Sequence, residues 1–370
     1  MGCCEATNPD MARTVSGRER SAPPDWTTDN LLDRRTAMKE LLAVAGVMWI
    51  SGCGRAGTGG SRIRLAFCGQ LLCVVPYEVA RARGHFAEQG IDIELVYTRG
   101  GNQAMQALVA GAVEYAGTSF DVALQAAANG AAIRRVASTG RLPLFALAAG
   151  PEQVETITSV ADLSDRTVGI SGLGNADHAL LLYLLDRAEV DAGSVRFASV
   201  GTNLFDALRI GQVDAAMLQE PALSLIIQAD GRELVNFMEI EETRERLGGA
   251  YEFMGVSVRA EERDERLPEI RRVAAALAGG LADTRSLPVA EIVQALPGPL
   301  VAGGDLEQLQ GILERYRLSL YPEGVTIDVE AARRVVEAQE IAGLLPTGAV
   351  SLDALLDVGA LDGFRTPSGL

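Results

Sequence analysis

Lysine is almost missing from this sequence: Lys39 is the only one, so nearly all positive charge is carried by arginine. A Schiff-base lysine and the lysine of a phosphate-binding P-loop are therefore excluded from everything downstream of it. Tryptophan is confined to Trp26 and Trp49, and histidine to His85 and His178. No Ser-His-Asp order and no His-Glu metal motif stands out, so neither catalysis nor a bound metal or cofactor is expected. Long basic runs are absent too, and a net charge of −16 argues against a general nucleic-acid binder. A small-molecule partner is the expectation that remains.

What the chain does have is apolar content. With 48% hydrophobic residues over 370 positions it can bury a large core, and its length suggests two domains of ordinary size.

Residues 1–33 are polar, rich in Pro, Ser, Thr and charge, and read as a disordered leader or an over-long start. Residues 34–53 follow, with Arg34, Arg35 and Lys39 ahead of an apolar run of about ten residues, too short to span a bilayer and suited to a signal peptide. The run ends in Ile50-Ser51-Gly52-Cys53, which resembles the bacterial lipobox, with Cys53 as the lipidated residue. Arg34-Arg35 resembles a twin-arginine export signal, although Ala37 stands where Phe is usual. Residues 54–61 are a Gly-rich tether. The expected product is anchored by lipid on the outer face of a cytoplasmic membrane.

From Arg62 onward, β-branched runs alternate with amphipathic stretches, the pattern of an α/β protein with parallel-type sheets covered by helices. Strands are predicted at 62–67, 91–97, 114–118, 133–138 and 142–148, with helices at 77–84, 102–110 and 121–129 closed by Gly84, Gly111 and Gly130. A second unit repeats the alternation, with strands near 167–171, 195–200, 213–218 and 233–237. Another strand-like run, 251–258, precedes an almost wholly helical remainder, which needs a surface to pack on and is expected to return to the first unit. The predicted organisation is lobe 1 from 62–148 plus 252–345, lobe 2 from 149–251, and a tail at 346–370. Two crossings near 148–151 and 249–252 make a hinge, and a hinge implies a cleft.

In parallel sheets ligands sit where strands end and helices begin. Those positions hold Gln70, then Arg99-Gly100-Gly101-Asn102, then Thr118-Ser119, then Arg141 in the first unit. In the second they hold Ser171 through His178, then Gly201-Thr202-Asn203, then Gln219-Glu220. His178 either touches ligand or lies on a helix surface, and His85 is placed at a helix end in a surface role. Residues 172–177, Gly-Leu-Gly-Asn-Ala-Asp, lack the third small residue of a dinucleotide fingerprint. Cys68 and Cys73 are spaced too sparsely for a zinc site and read as packed thiols, with a disulfide as the next reading.

Taken together, the segment from Pro76 to Ser119 with its Gly-His-Phe helix end, the segment Ile157–Leu185, and Phe205–Pro221 with Gly-Gln-Val-Asp-Ala-Ala-Met-Leu-Gln-Glu-Pro resemble one family. They resemble solute-binding proteins of ABC importers, of the nitrate, sulfonate, taurine and thiamine-pyrimidine-precursor-like kind, over about residues 62–320. The resemblance implies a two-lobed type II periplasmic-binding fold, a monomer, and permease and ATPase subunits as partners. It also implies ligand contacts at Gln70, Gly101, Asn102, Thr118, Ser119, Ser171, Asn175, Gln219 and Glu220. Enzymes on this fold depend on a dense cysteine cluster, a lysine and a histidine, which this chain does not reproduce. An enzyme of thiamine-precursor or menaquinone type, or a ligand sensor, are the alternative readings. For the ligand, Arg99 and Arg141 suit a sulfonate or carboxylate, whereas Asp177 and Glu220, if they face the cleft, favour a nitrogen heterocycle.

Overall fold

The structure is a computed structural model, and it describes residues 62–301 and 305–362. The leader, signal segment, Cys53 and tether, and the last residues of the tail, lie outside the described residues. No described helix is long and apolar enough to cross a membrane.

The first half of the chain runs β1 (Ile63–Cys68), α1 (Leu71–Ala82), α2 (His85–Glu88), β2 (Ile93–Thr98), α3 (Gly101–Val109), β3 (Tyr115–Ser119), α4 (Phe120–Ala128) and β4 (Ile133–Ser138). It continues through β5 (Ala146–Ala149), β6 (Thr167–Ile170), α5 (Ala176–Arg187), β7 (Arg196–Ser199), α6 (Leu204–Arg209), β8 (Ala215–Leu218), α7 (Ala222–Gln228), β9 (Arg232–Asn236) and α8 (Ile240–Leu247). The remainder is β10 (Met254–Arg259), α9 (Arg263–Ser286), α10 (Val289–Ala295), α11 (Gly298–Val301), α12 (Leu306–Leu320), α13 (Val329–Ile341) and α14 (Leu352–Leu355).

Two five-stranded sheets result, ordered β2-β1-β3-β10-β4 and β7-β6-β8-β5-β9. The expected α/β architecture with helices covering both sheets is present, but each sheet is mixed rather than parallel. β10 runs antiparallel to β3 and β4, and β5 antiparallel to β8 and β9. The cause is connectivity: the strand that arrives from the other lobe enters directly, without a helical crossover, and antiparallel pairing needs none.

One strand changes lobe relative to expectation. The run 142–148 was predicted for the first sheet, yet β5 pairs only in the second, so the crossing comes earlier, between Ser138 and Ala146. The return runs through residues 250–253 into β10. The two crossing segments lie side by side, with Tyr251 N–H donating to Arg141 O at 2.9 Å and Phe253 N–H to Gly140 O at 3.0 Å.

Beneath the crossings sits a buried polar knot. Arg135 is fully buried, and its Nη1 donates to the carbonyls of Thr118 and Gly255, both at 2.9 Å, while Nη2 donates to Phe253 O at 2.8 Å. One side chain thus stitches β3, β10 and the crossing segment together. Glu252 lies 3.8 Å from Arg135 and accepts from Ser138 Oγ at 3.0 Å.

The helical remainder does not return to the first lobe alone. α9 packs on α1 and α2, with His85 Nε2 2.8 Å from Asp283 Oδ2, which gives the helix-end histidine its partner. α13, however, lies against both α4 and α5. α12 bonds the second lobe, where Ser319 Oγ donates to Met238 O and Asn236 Nδ2 to Tyr316 Oη. Helices from the C-terminal half therefore brace both lobes.

Candidate functional site

The C-terminal ends of β1, β2 and β3 face those of β6, β7 and β8 across a cavity of about 310 Å³. Four helices, α1, α3, α4 and α5, begin at its edge, and each N-terminus carries roughly half a positive charge from unpaired N–H groups. The wall on the crossing side is apolar, formed by Phe145, Phe253 and Met254, and the two phenyl rings meet edge to face at 5.9 Å.

Seven of the expected site residues line this cavity: Gln70, Gly101, Asn102, Ser119, Ser171, Asn175 and Gln219. Gln70 holds the N-cap position of α1 without a side-chain capping bond, and the helix starts at Leu71 and not near Tyr77 as predicted. Pro76 therefore lies inside a helix, where its ring displaces a bond to the carbonyl four residues back. That carbonyl, Leu72 O, accepts instead from Tyr321 Oη at 2.8 Å. Ser119 caps α4 by accepting from Val122 N–H at 3.4 Å.

A polar chain spans the cleft. Asn102 Nδ2 donates to Asn175 Oδ1 at 3.3 Å, Asn175 Nδ2 to Ser171 Oγ at 2.9 Å, and Ser171 Oγ to Asp177 Oδ1 at 2.7 Å. Gln125 Nε2 adds a second crossing bond to Gly174 O. Asp177 is fully buried and also accepts from Ser171 N–H, so its oxygens are committed to the turn; burial raises its pKa while the Ser171 bonds oppose that.

The other four expected residues are not among those lining the cavity. Thr118 is fully buried in β3, and its carbonyl serves Arg135. Arg141 donates from Nε to Ser319 O at 2.8 Å and from Nη2 to Leu318 O at 2.6 Å, so it holds the end of α12. His178 Nδ1 accepts from Gly174 N–H at 3.0 Å and its ring meets Phe197 at 4.9 Å; burial pulls its pKa down, leaving a neutral imidazole turned inward. Glu220 accepts from Ser224 N–H at 3.1 Å and from Ser224 Oγ at 3.0 Å, and burial pushes its pKa up. Glu220 therefore does not face the cavity, whereas Asp177 lines it with both oxygens bonded to Ser171.

Arg99 does line the cavity, is exposed, and forms no ion pair among the described residues. Thr202, Cys68 and Cys73 line it as well. Phe145 and Phe253 carried no sequence signal, because an aromatic residue in an apolar run looks the same whether it faces a core or a cleft.

The family model described as NMT1/THI5 like matches residues 74–289. No curated protein matches the chain. Among solved structures, one from Bordetella bronchiseptica RB50 superposes with a TM-score of 0.72 at 20% identity, covering 82% of this chain and 98% of its own. The alkanesulfonate-binding protein SsuA from Xanthomonas axonopodis pv. citri bound to MOPS gives 0.63 at 19% identity, covering 80% and 98%. The periplasmic nitrate-binding protein NrtA from Synechocystis PCC 6803 gives 0.61 at 14% identity, covering 83% and 89%. The shared architecture is the periplasmic-binding-protein fold.

Proposed function

The chain belongs to the NMT1/THI5-like family, and from that premise we propose that it is the lipid-anchored, extracytoplasmic solute-binding component of an ABC importer, delivering a small organic anion. The observation that carries the anion is the charge balance of the cavity. Arg99 is a cation without a partner among the described residues, four helix N-termini open on the same space, and the one carboxylate in the lining, Asp177, has both oxygens bonded to Ser171. An oxoanion head group would be met by Arg99 and backbone N–H groups, with Gln70, Asn102, Ser119 and Thr202 as further hydrogen-bonding partners. Its carbon portion would lie against Phe145, Phe253 and Met254. About 310 Å³ suits a ligand of small-metabolite size.

A binding role in preference to catalysis is supported by the seats of His178 and Glu220, whereas Asp177 and the two thiols do line the cavity. His178 and Glu220 are tied to neighbouring groups and do not line the cavity. That the solved relatives include sulfonate- and nitrate-binding proteins supports the same reading.

A thermal-shift panel of small sulfonates, carboxylates and nitrate against neutral nitrogen heterocycles tests the ligand class. We expect stabilisation by members of the anion set, with Arg99→Ala weakening it about tenfold or more, the range of one lost charge-assisted hydrogen bond of roughly 1.5–3 kcal/mol. Stabilisation by heterocycles alone, unchanged in Arg99→Ala, would overturn it. For the anchor, Cys53→Ala should release the protein from membranes, and retention would refute lipidation there.

A further inference from the structure

The cavity wall holds a feature that ligand binding does not use. Cys68, the last residue of β1, and Cys73, in the first turn of α1, both line the cavity, and Gln70 lies between them in sequence. They are free, buried thiols. No other cysteine lies among the described residues.

We infer that Cys68 and Cys73 form a reversible dithiol–disulfide pair in the wall of the ligand cavity, oxidised by thiol–disulfide exchange with a small-molecule disulfide that reaches Cys68 through that cavity. The inference stands on this geometry and does not depend on the transport role.

The two thiols are unequal in a way that suits exchange. Cys68 is the more accessible, at 8% exposure against 3% for Cys73. The pairing of the two thiols lowers the pKa of Cys68 and, with burial, raises that of Cys73. As the more accessible of the two, Cys68 is placed as the attacking sulfur and Cys73 as the resolving one. In the first step the Cys68 thiolate attacks one sulfur of the donor disulfide, forming a mixed disulfide and expelling one donor thiolate. That thiolate takes up the Cys73 proton. The Cys73 thiolate then attacks Cys68 Sγ, closing the bridge and expelling the second donor thiolate, which is protonated by the proton Cys68 had released. Two cysteine thiols and one donor disulfide become one cysteine disulfide and two donor thiols, so atoms and electrons balance.

The test uses the full chain and glutathione. Arg64 and Arg81 bracket both cysteines, so digestion after arginine isolates them on one peptide, Leu65–Arg81, free of Cys3, Cys4 and Cys53. After equilibration in glutathione buffers of varied oxidation and alkylation of remaining thiols, that peptide should pass from doubly alkylated to bridged, two hydrogens lighter than the dithiol, and return on added reductant. In Cys73→Ala and Cys73→Ser, Cys68 should accumulate as the glutathione mixed disulfide. In Cys68→Ala, Cys73 should react at least tenfold more slowly than Cys68 does in the reciprocal variant. Bridging only after denaturation, or equal reactivity of the two single thiols, would overturn the assignment.

Discussion

Glu252 is 1% exposed, and burial raises its pKa from an ordinary 4.5 to about 7 despite Arg135 and the Ser138 hydroxyl, which pull it down. Raised in the folded state, such a carboxyl holds its proton where the unfolded chain has lost it. Below about pH 4.5 both states are protonated and the group has no effect on stability; between about 4.5 and 7 its contribution becomes increasingly unfavourable, and above 7 it levels off. At 1.36 kcal/mol per unit the full swing is roughly 3 kcal/mol. Glu252→Gln removes the titration. Relative to wild type, its unfolding free energy should therefore improve by up to roughly 3 kcal/mol between about pH 5 and pH 8. A gap independent of pH in urea titrations would refute the assignment. Residues also differ in how legible they were. Gln70, Asn102, Ser171 and Gln219 were found because position after a strand is enough to place backbone and side chain at the cleft. Glu220 and His178 occupy similar positions, but Ser224 takes up both Glu220 oxygens and Gly174 the His178 Nδ1, and that outcome depends on contacts one turn away.

At the scale of elements, most strands fall where alternation predicts, because each carries a β-branched or apolar run bounded by glycine or charge. Two departures have one kind of cause, a partner distant in sequence. α1 begins six residues before its predicted start because Tyr321 satisfies the Leu72 carbonyl that Pro76 strands. β5 joins the second sheet because β8 and β9 are there to pair with it, and nothing in Ala-Leu-Ala-Ala says which sheet that is. The seat of α1 is fixed by another distant contact, a close approach to α9. A Cβ on Gly280 would stand 2.4 Å from Pro76 O and 2.6 Å from Ala80 Cβ, so Gly280→Ala must push the two helices apart. We expect a loss of about 1–3 kcal/mol, as for overpacking generally. Gly311, in the middle of α12 with nothing within 4 Å of its virtual Cβ, is the matched control. Gly311→Ala should gain about 0.5–1 kcal/mol from helix propensity alone. Equal effects at the two positions in chemical denaturation would mean that α1 and α9 do not meet closely at Gly280.

For the whole molecule, both sheets contribute strand ends to the cavity, so a ligand held there as proposed would touch both lobes. The crossing segments supply the pivot, paired to each other through Tyr251 and Phe253 and pinned from below by Arg135. At the cavity two polar contacts join the lobes directly, Asn102 with Asn175 and Gln125 with the Gly174 carbonyl. Pivot and rim therefore have separable energetics: the pivot is buried and belongs to folding, whereas the rim is exposed or half-buried and belongs to closure. A net hydrogen bond of about 1 kcal/mol at the rim corresponds to roughly a fivefold change in the balance of closed and open forms. Gln125→Ala removes one such bond without touching the cavity lining. Affinity for whichever anion stabilises the wild type should fall roughly fivefold, with the loss mainly in a faster dissociation rate. The melting temperature without ligand should stay close to that of the wild type, because α4 keeps its packing. If the ligand-free melting temperature fell in proportion to the affinity, Gln125 would belong to the fold and the separation of pivot from rim would be wrong.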